Sequence, residues 1–355
     1  MVTGGGCYVA AVRQLWSLAG TAAAVVAIVG CSSGSGDVSA TSVAVATPAA
    51  VAPIESTTVA PTTAPLTTIA AATTTSVSSD PRARRPYRFE TVTRTFVDTT
   101  RSTPATDGEL PSRTLETTLY LPVSDEPVPL IVFSHGFGAS PAKFERLLGA
   151  WAAAGYAVAA PAFPLTNDTL DPARRVVGDV VNQAGDVVFV LDQLLGGDLA
   201  GRFDPQRLAA AGLSLGGLTT YLAAIDDATR DARFTSAIVM AAVPPGEAFA
   251  PHDLPVLVMH GELDPVVQIG SARSTFAKLH PPAYEVTMLG AFHAEAFEDA
   301  EENVVFPDRA RFHPVVDATT VAFWDTYLLA VPSAAPEIAA AADRPGISTI
   351  ESRTG

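Results

Sequence analysis

Cysteine is almost absent from this sequence. Of 355 residues only Cys7 and Cys31 carry a thiol, and both precede the part that patterns as a folded domain. A disulfide framework and a thiolate metal site are therefore excluded for that domain. The six histidines are scattered, with no H-x-x-x-H pair, so no metal and no other cofactor is expected. Positive charge is also scarce: 22 Lys and Arg stand against 37 Asp and Glu, for a net charge of −15. Phosphate-backbone binding needs clustered Lys and Arg, so no nucleic-acid partner is expected. Electrostatic attraction to an anionic membrane surface is disfavoured on the same ground, whereas a small neutral substrate is compatible. What the chain does have is apolar material, 48% of residues against 17% charged, enough for a sizeable core.

The N-terminus reads as an address. After Arg13, residues 14–30 (QLWSLAGTAAAVVAIVG) form an apolar run that is short for a membrane span, which needs about 20 apolar residues. It ends in Ile28-Val29-Gly30-Cys31, which resembles a bacterial lipobox. That resemblance implies a lipoprotein-type signal peptide over 1–30, cleavage before Cys31 and a diacylglyceryl anchor on its thiol. The chain would then be extracytoplasmic and held to the cell membrane by lipid, or secreted if no anchor is attached. Residues 31–86 are dominated by Ala, Thr, Ser, Val and Pro, a composition that reads as a disordered tether. Arg82, Arg84 and Arg85 read as its solvated end.

From residue 87 the pattern changes. Residues 87–98 and 113–122 alternate polar and apolar side chains, as half-buried antiparallel strands do. VPLIVFSHG (128–136) is a continuous apolar run, which predicts a strand buried on both faces of a parallel sheet. Further strands are predicted at 156–161, 207–214, 235–243, 255–261 and 283–290, the last of the series. Helices are predicted at 141–154, 172–195, 215–225, 270–280 and 315–330. Alternating strands and helices define an α/β class: a mostly parallel central sheet with helices on both faces and an antiparallel strand pair at its N-terminal edge. The domain is placed at 87–330, followed by an Ala- and Pro-rich tail, 331–355, read as disordered. About a dozen residues separate the strands at 235–243 and 255–261, too few for a cap, so an open site is expected.

The pattern G-x-S-x-G occurs twice, as GCSSG at 30–34 and GLSLG at 212–216. Ser32 adjoins the lipidation cysteine in the tether, where no element could hold it in one geometry. Ser214 lies between an apolar strand and a helix, the context a nucleophile elbow requires. Gly212, Gly216 and Gly217 leave room where a Cβ would clash. An acid is needed at the end of a later strand. Asp264, in HGELDPVV, is the candidate, with Glu262 in reserve; Asp253 lies at the wrong end of its strand. A base is needed after the next strand, and His293 follows it directly. His280 precedes that strand, and His313, beside Pro314, reads as a surface or capping residue. Two backbone N–H groups must face the developing oxyanion. Leu215, after the nucleophile, and Phe137, in the SHGFG loop, are the candidates, and His135 is expected to brace that loop.

These pieces together (TLYLP, FSHGFG, DVVNQAGDVVFVLDQL, AGLSLGG, MHGELDPVV and the FH after the strand at 283–290) resemble bacterial α/β-hydrolases of the dienelactone hydrolase, chlorophyllase and platelet-activating-factor acetylhydrolase-like group. Polyester hydrolases and cutinases are relatives. The order Ser…Asp…His is theirs. The serine replaces the cysteine nucleophile of dienelactone hydrolases proper. The resemblance implies an α/β-hydrolase fold and a monomeric serine esterase working through an acyl-enzyme on a small neutral ester. The alternatives are a lipase, an acyltransferase or a peptidase on the same fold, or a catalytically inactive lipid-anchored binding protein.

Overall fold

A computed structural model describes residues 80–246, 253–299 and 309–355. The signal peptide, Cys31, Ser32, the tether up to residue 79 and residues 247–252 of the connection expected to leave the site open lie outside the described residues.

Among the described residues, eleven strands and six α-helices alternate along the chain. They are β1 (Phe89–Asp98), β2 (Thr103–Ala105), β3 (Gly108–Leu110), β4 (Arg113–Pro122), β5 (Val128–Ser134), α1 (Glu145–Ala153), β6 (Ala157–Ala162), α2 (Val180–Gly196), β7 (Phe203–Leu213), α3 (Leu215–Thr220), β8 (Phe234–Met240), β9 (Val256–Gly261), α4 (Gly270–Lys278), β10 (Ala283–Met288), α5 (His313–Tyr327), α6 (Ala335–Ala342) and β11 (Ser348–Arg353). Nine of the strands make one sheet in the order β1-β4-β6-β5-β7-β8-β9-β10-β11, and β2 and β3 form a separate small hairpin. The run from β6 to β10 is parallel, while β1 with β4, β4 with β6 and β10 with β11 pair antiparallel.

The parallel strands are apolar on both sides because both faces are covered. One face carries α2, α3 and α4 through Val187, Leu191, Leu218 and Phe276. The other carries α1, α5 and α6 through Leu147, Trp151, Phe323, Trp324 and Ile338. Every residue of β5 is buried as a result. In such sheets the loops at the carboxyl ends of the strands hold the ligand site. Here those loops follow β5, β7, β9 and β10.

Three expectations are corrected. The tail 331–355 is ordered: α6 buries Ile338, Ala341 and Ala342, and β11 pairs with β10 from Ala283↔Arg353 to Met288↔Ser348. Its alanines are strong helix formers, and Pro332 and Pro336 sit in the first turns of a 3₁₀ helix and of α6, where they cost no hydrogen bond. The strand at 283–290 is therefore not the last. Second, the boundary arginines are not all solvated. The Arg85 guanidinium pairs with the buried Asp325 carboxylate and donates to Ala154 O at 2.7 Å, so the ordered chain begins by residue 80. Third, the helix expected over 172–195 starts only at Val180. Residues 172–179 form two single 3₁₀ turns, because Asp171 caps Ala173 N and Val176 N donates to Leu165 O at 2.8 Å.

One contact fixes α2 on the sheet. Arg113, on β4, is fully buried and reaches Asp179 and Asp186 with hydrogen bonds of 2.6 to 3.0 Å. The two carboxylates are two turns apart on the same stripe of the helix. A guanidinium is the cation suited to this bridge, since its planar fork serves each carboxylate with two donors.

Candidate active site

β7 ends at Leu213 and α3 begins at Leu215, so Ser214 alone makes the turn. Its backbone sits at φ 56°, ψ −117°, a conformation that a non-glycine residue holds only when its surroundings impose it. Ser214 N donates to Met240 O at 2.9 Å, which pins the turn to the end of β8. The flanking glycines are required by space. A Cβ on Gly212 would lie 2.2 Å from Gly216 O, and one on Gly216 would lie 2.0 Å from Ser134 O. The second distance also shows how closely the end of β5 approaches the turn.

The structure brings Ser214, His293 and Asp264 into one hydrogen-bonded line. His293 Nε2 lies 2.7 Å from Ser214 Oγ, and His293 Nδ1 lies 2.7 Å from Asp264 Oδ2. An ionised carboxylate only accepts, so Nδ1 carries the proton and Nε2 is left to accept from the serine hydroxyl. Asp264 is held by its own loop: Oδ1 accepts from Val266 N and Val267 N, each at 2.8 Å. Burial works to raise its carboxyl, but contacts to His260 and His293 and the Val267 N–H outweigh it and hold the group well below the usual carboxylate range. These contacts favour the anionic form of Asp264, the form that accepts from His293 Nδ1.

The loops carrying Asp264 and His293 pack on each other. Gly261 allows this, since a Cβ there would meet Phe292 O at 2.2 Å. Leu263 N donates to Ala291 O at 2.9 Å, and Glu262 accepts from Gly290 N at 2.9 Å. Glu262, the reserve acid, therefore staples the loop rather than meeting the histidine. His280 lies beside Asp253 at 3.3 Å, and the His313 imidazole is lowered by burial; neither takes part in the line. His260, for which the sequence predicts no role, is fully buried near the end of β9, 3.2 Å from Asp264 Oδ2 and 2.7 Å from Val267 O. Its only signal in the sequence is a polar residue closing an otherwise apolar strand.

The loop after β5 passes alongside the serine: an ideal Cβ on Gly136 would be 3.5 Å from Ser214 Cβ. Among the described residues, neither Phe137 N nor Leu215 N donates to another protein group. Both amides remain available to an oxygen held at Ser214. His135 braces this loop, with Nδ1 donating to Gly136 O at 2.7 Å and Nε2 accepting from Phe163 N at 3.1 Å.

Burial lowers the His135 imidazole to about 4. In an unfolded chain a histidine titrates near ~6.5. Between these values the unfolded state binds a proton that the folded state refuses, so stability rises with pH across this window. The difference corresponds to ~3 kcal/mol, present in full above ~6.5 and lost by about pH 4. Urea unfolding of the wild type at pH 7 and pH 4.5 is expected to show this slope, and His135→Gln should flatten it. Equal slopes in the two proteins would remove His135 as the cause.

The described residues contain no cluster of three or more His, Cys, Asp or Glu able to hold a metal ion. The chemistry available at this site is nucleophilic attack by a serine, proton transfer through a histidine and stabilisation of an oxyanion by two amides.

The fold is that of the α/β-hydrolases, with the Ser214 turn at the centre of the sheet. Among solved structures, the chain is similar to the ferulic acid esterase from Streptomyces cinnamoneus, at 23% identity and a TM-score of 0.58, over 71% of this chain and 93% of that one. No protein-family model and no curated protein matches the chain.

Proposed function

We propose that the chain is a serine hydrolase that cleaves carboxylic esters through an acyl-enzyme. The observation that carries this reading is the unbroken line from Ser214 Oγ through His293 to Asp264. In the first half-reaction Ser214 Oγ attacks the ester carbonyl while His293 Nε2 takes its proton. The carbonyl oxygen becomes an oxyanion facing Phe137 N and Leu215 N. The tetrahedral intermediate then expels the alcohol, which leaves with the proton from His293. Water repeats the sequence on the acyl-enzyme, releases the acid and restores Ser214. Asp264 holds His293 in the required tautomer and stabilises its cationic form.

An apolar, uncharged ester suits the mouth of the site. Phe137, Leu263, Val266 and Phe292 are exposed, and each lies on an oxyanion donor or within two residues of Asp264 or His293. The similarity to a ferulic acid esterase favours ester hydrolysis over peptide cleavage.

The test is to treat the full-length protein with a fluorophosphonate and to assay it on p-nitrophenyl esters of graded acyl length. The expected result is a single phosphonyl adduct on Ser214 and turnover of the neutral esters. Absence of both adduct and turnover would overturn the reading in favour of an inactive binding protein. An adduct on another residue would overturn the site.

A further inference from the structure

We propose that Gln183 is a positioning residue that sets the two oxyanion N–H donors relative to each other. The inference rests on the esterase reading and goes further by naming the part that holds its oxyanion site together.

The two donors belong to different segments. Leu215 N is fixed to helix α3, whereas Phe137 N sits in the loop after β5. A tetrahedral oxyanion is stabilised only if both amides meet it within hydrogen-bond distance, and a displacement of about 1 Å can cost on the order of 100-fold in rate. Something must therefore couple the loop to the helix.

The loop does not stand alone. It is laced to the segment following β6: Gly138 N donates to Thr166 O at 2.7 Å, Asp168 N donates to Ala139 O at 3.1 Å, and Ser140 Oγ donates to Asp168 Oδ2 at 2.8 Å. Phe137 therefore moves with residues 163–168. That segment in turn meets Gln183. Gln183 Nε2 donates to Thr166 Oγ1 at 2.8 Å, and Gln183 Oε1 accepts from Thr219 Oγ1 at 2.6 Å. Thr219 is one turn along α3 from Leu215, and its hydroxyl also lies 3.1 Å from Leu215 O. One side-chain amide thus joins the two segments that present the two donors.

The amide is well suited to this task. Gln183, Thr166 and Thr219 are all fully buried, so water does not compete for these bonds. Gln183 lies on the same stripe of α2 as Asp179 and Asp186, which Arg113 clamps to β4. That clamp ties α2 to β4 on both sides of Gln183 and so opposes sliding or rotation of the helix that would carry the amide away from its partners. Gln183 is too far removed in role to be a catalytic residue: it acts through Thr166 and Thr219 on the backbone that carries the donors.

The experiment compares full-length wild type with Gln183→Met, which keeps the side chain's length and removes its hydrogen bonds, and with Thr219→Val and Thr219→Ser. Each is assayed on a p-nitrophenyl ester and on the matching thionoester. A C=S sulfur accepts hydrogen bonds poorly, so the thionoester rate depends little on the two donors. The expected result for Gln183→Met is a fall in kcat on the ester of about 10- to 100-fold with KM within about twofold. The ratio of ester to thionoester rates should fall by the same factor. Thr219→Val should show the same signature, the Gln183→Met/Thr219→Val pair should be no worse than either alone, and Thr219→Ser, which restores the hydroxyl, should recover most of kcat.

Loss of rate that is equal on both esters, or a rise in KM with kcat unchanged, would overturn the inference. So would unchanged kinetics in a folded Gln183→Met or Thr219→Val protein. If Gln183→Met does not fold, Thr219→Val and Thr166→Val carry the same test from the two ends. A wild-type protein that hydrolyses neither substrate would overturn the esterase reading itself, and the positioning role with it.

Discussion

His293→Ala is expected to lower kcat/KM for an activated ester by on the order of 10⁵- to 10⁶-fold. The size of the effect follows from how the three groups depend on one another. Without the imidazole, the Ser214 hydroxyl keeps its proton at neutral pH and is a poor nucleophile. Asp264 cannot substitute, because it lies beyond the histidine, and its anionic form is stabilised too well to accept a proton. The two amides at Phe137 and Leu215 remain, so a residual rate above that of water is expected. The Ser214→Ala/His293→Ala double variant should be no slower than either single variant, since each removes the same machine. Steady-state hydrolysis of p-nitrophenyl acetate measures all three. A His293→Ala enzyme within a hundredfold of wild type would place the base elsewhere.

Arg113→Leu is expected to cost about 3 to 5 kcal/mol of stability. The substitution removes little volume but leaves two carboxylates buried. Asp186 keeps Arg101 at 2.9 Å, while Asp179 is left with Asn182 Nδ2 at 2.8 Å as its side-chain partner. Neither side chain is exposed to water that could solvate it. By contrast, Arg94→Ala breaks a pair with Asp198 whose members are about half or more exposed, and it should change stability by less than ~1 kcal/mol. Urea titrations of the two variants read the difference as a shift in midpoint at constant slope. An Arg113→Leu protein as stable as Arg94→Ala would mean that the carboxylates find water or protonate at little cost.

The elements that the sequence made legible are those written in local pattern. The continuous apolar run of β5 requires a strand covered on both faces, and the structure covers it on both. A serine between an apolar strand and a helix, with glycines on either side, describes a turn that few other residues could make. Chain order then leaves few choices for an acid and a base at the ends of later strands.

What stayed hidden depends on contacts distant along the chain. Gln183 interrupts the apolar stripe of Val180, Ala184 and Val187, which marks it as unusual. Its partners are 17 and 36 residues away, and no periodicity reveals them. The 3₁₀ turns at 172–179 arise from a bond to Leu165 O, so a helical pattern overran them. The Ala- and Pro-rich composition of the tail predicts disorder, whereas Ser348–Arg353 has the open side of β10 to pair with, and composition does not record that.

The ordering of that tail has a consequence for solubility. A parallel sheet ending at β10 would present a row of unpaired amides on a strand of buried, mostly apolar residues, a template on which another chain could add a strand. β11 occupies that position and turns outward a short strand bearing Glu351 and Arg353. At the opposite border β1 does the same with Glu90 and Arg94. Both borders of the sheet are thus finished with charge, and an incoming strand would have to strip water from those side chains before it could pair. The residues from Ser348 to Arg353 give the sheet a short, charged border in place of the buried strand β10.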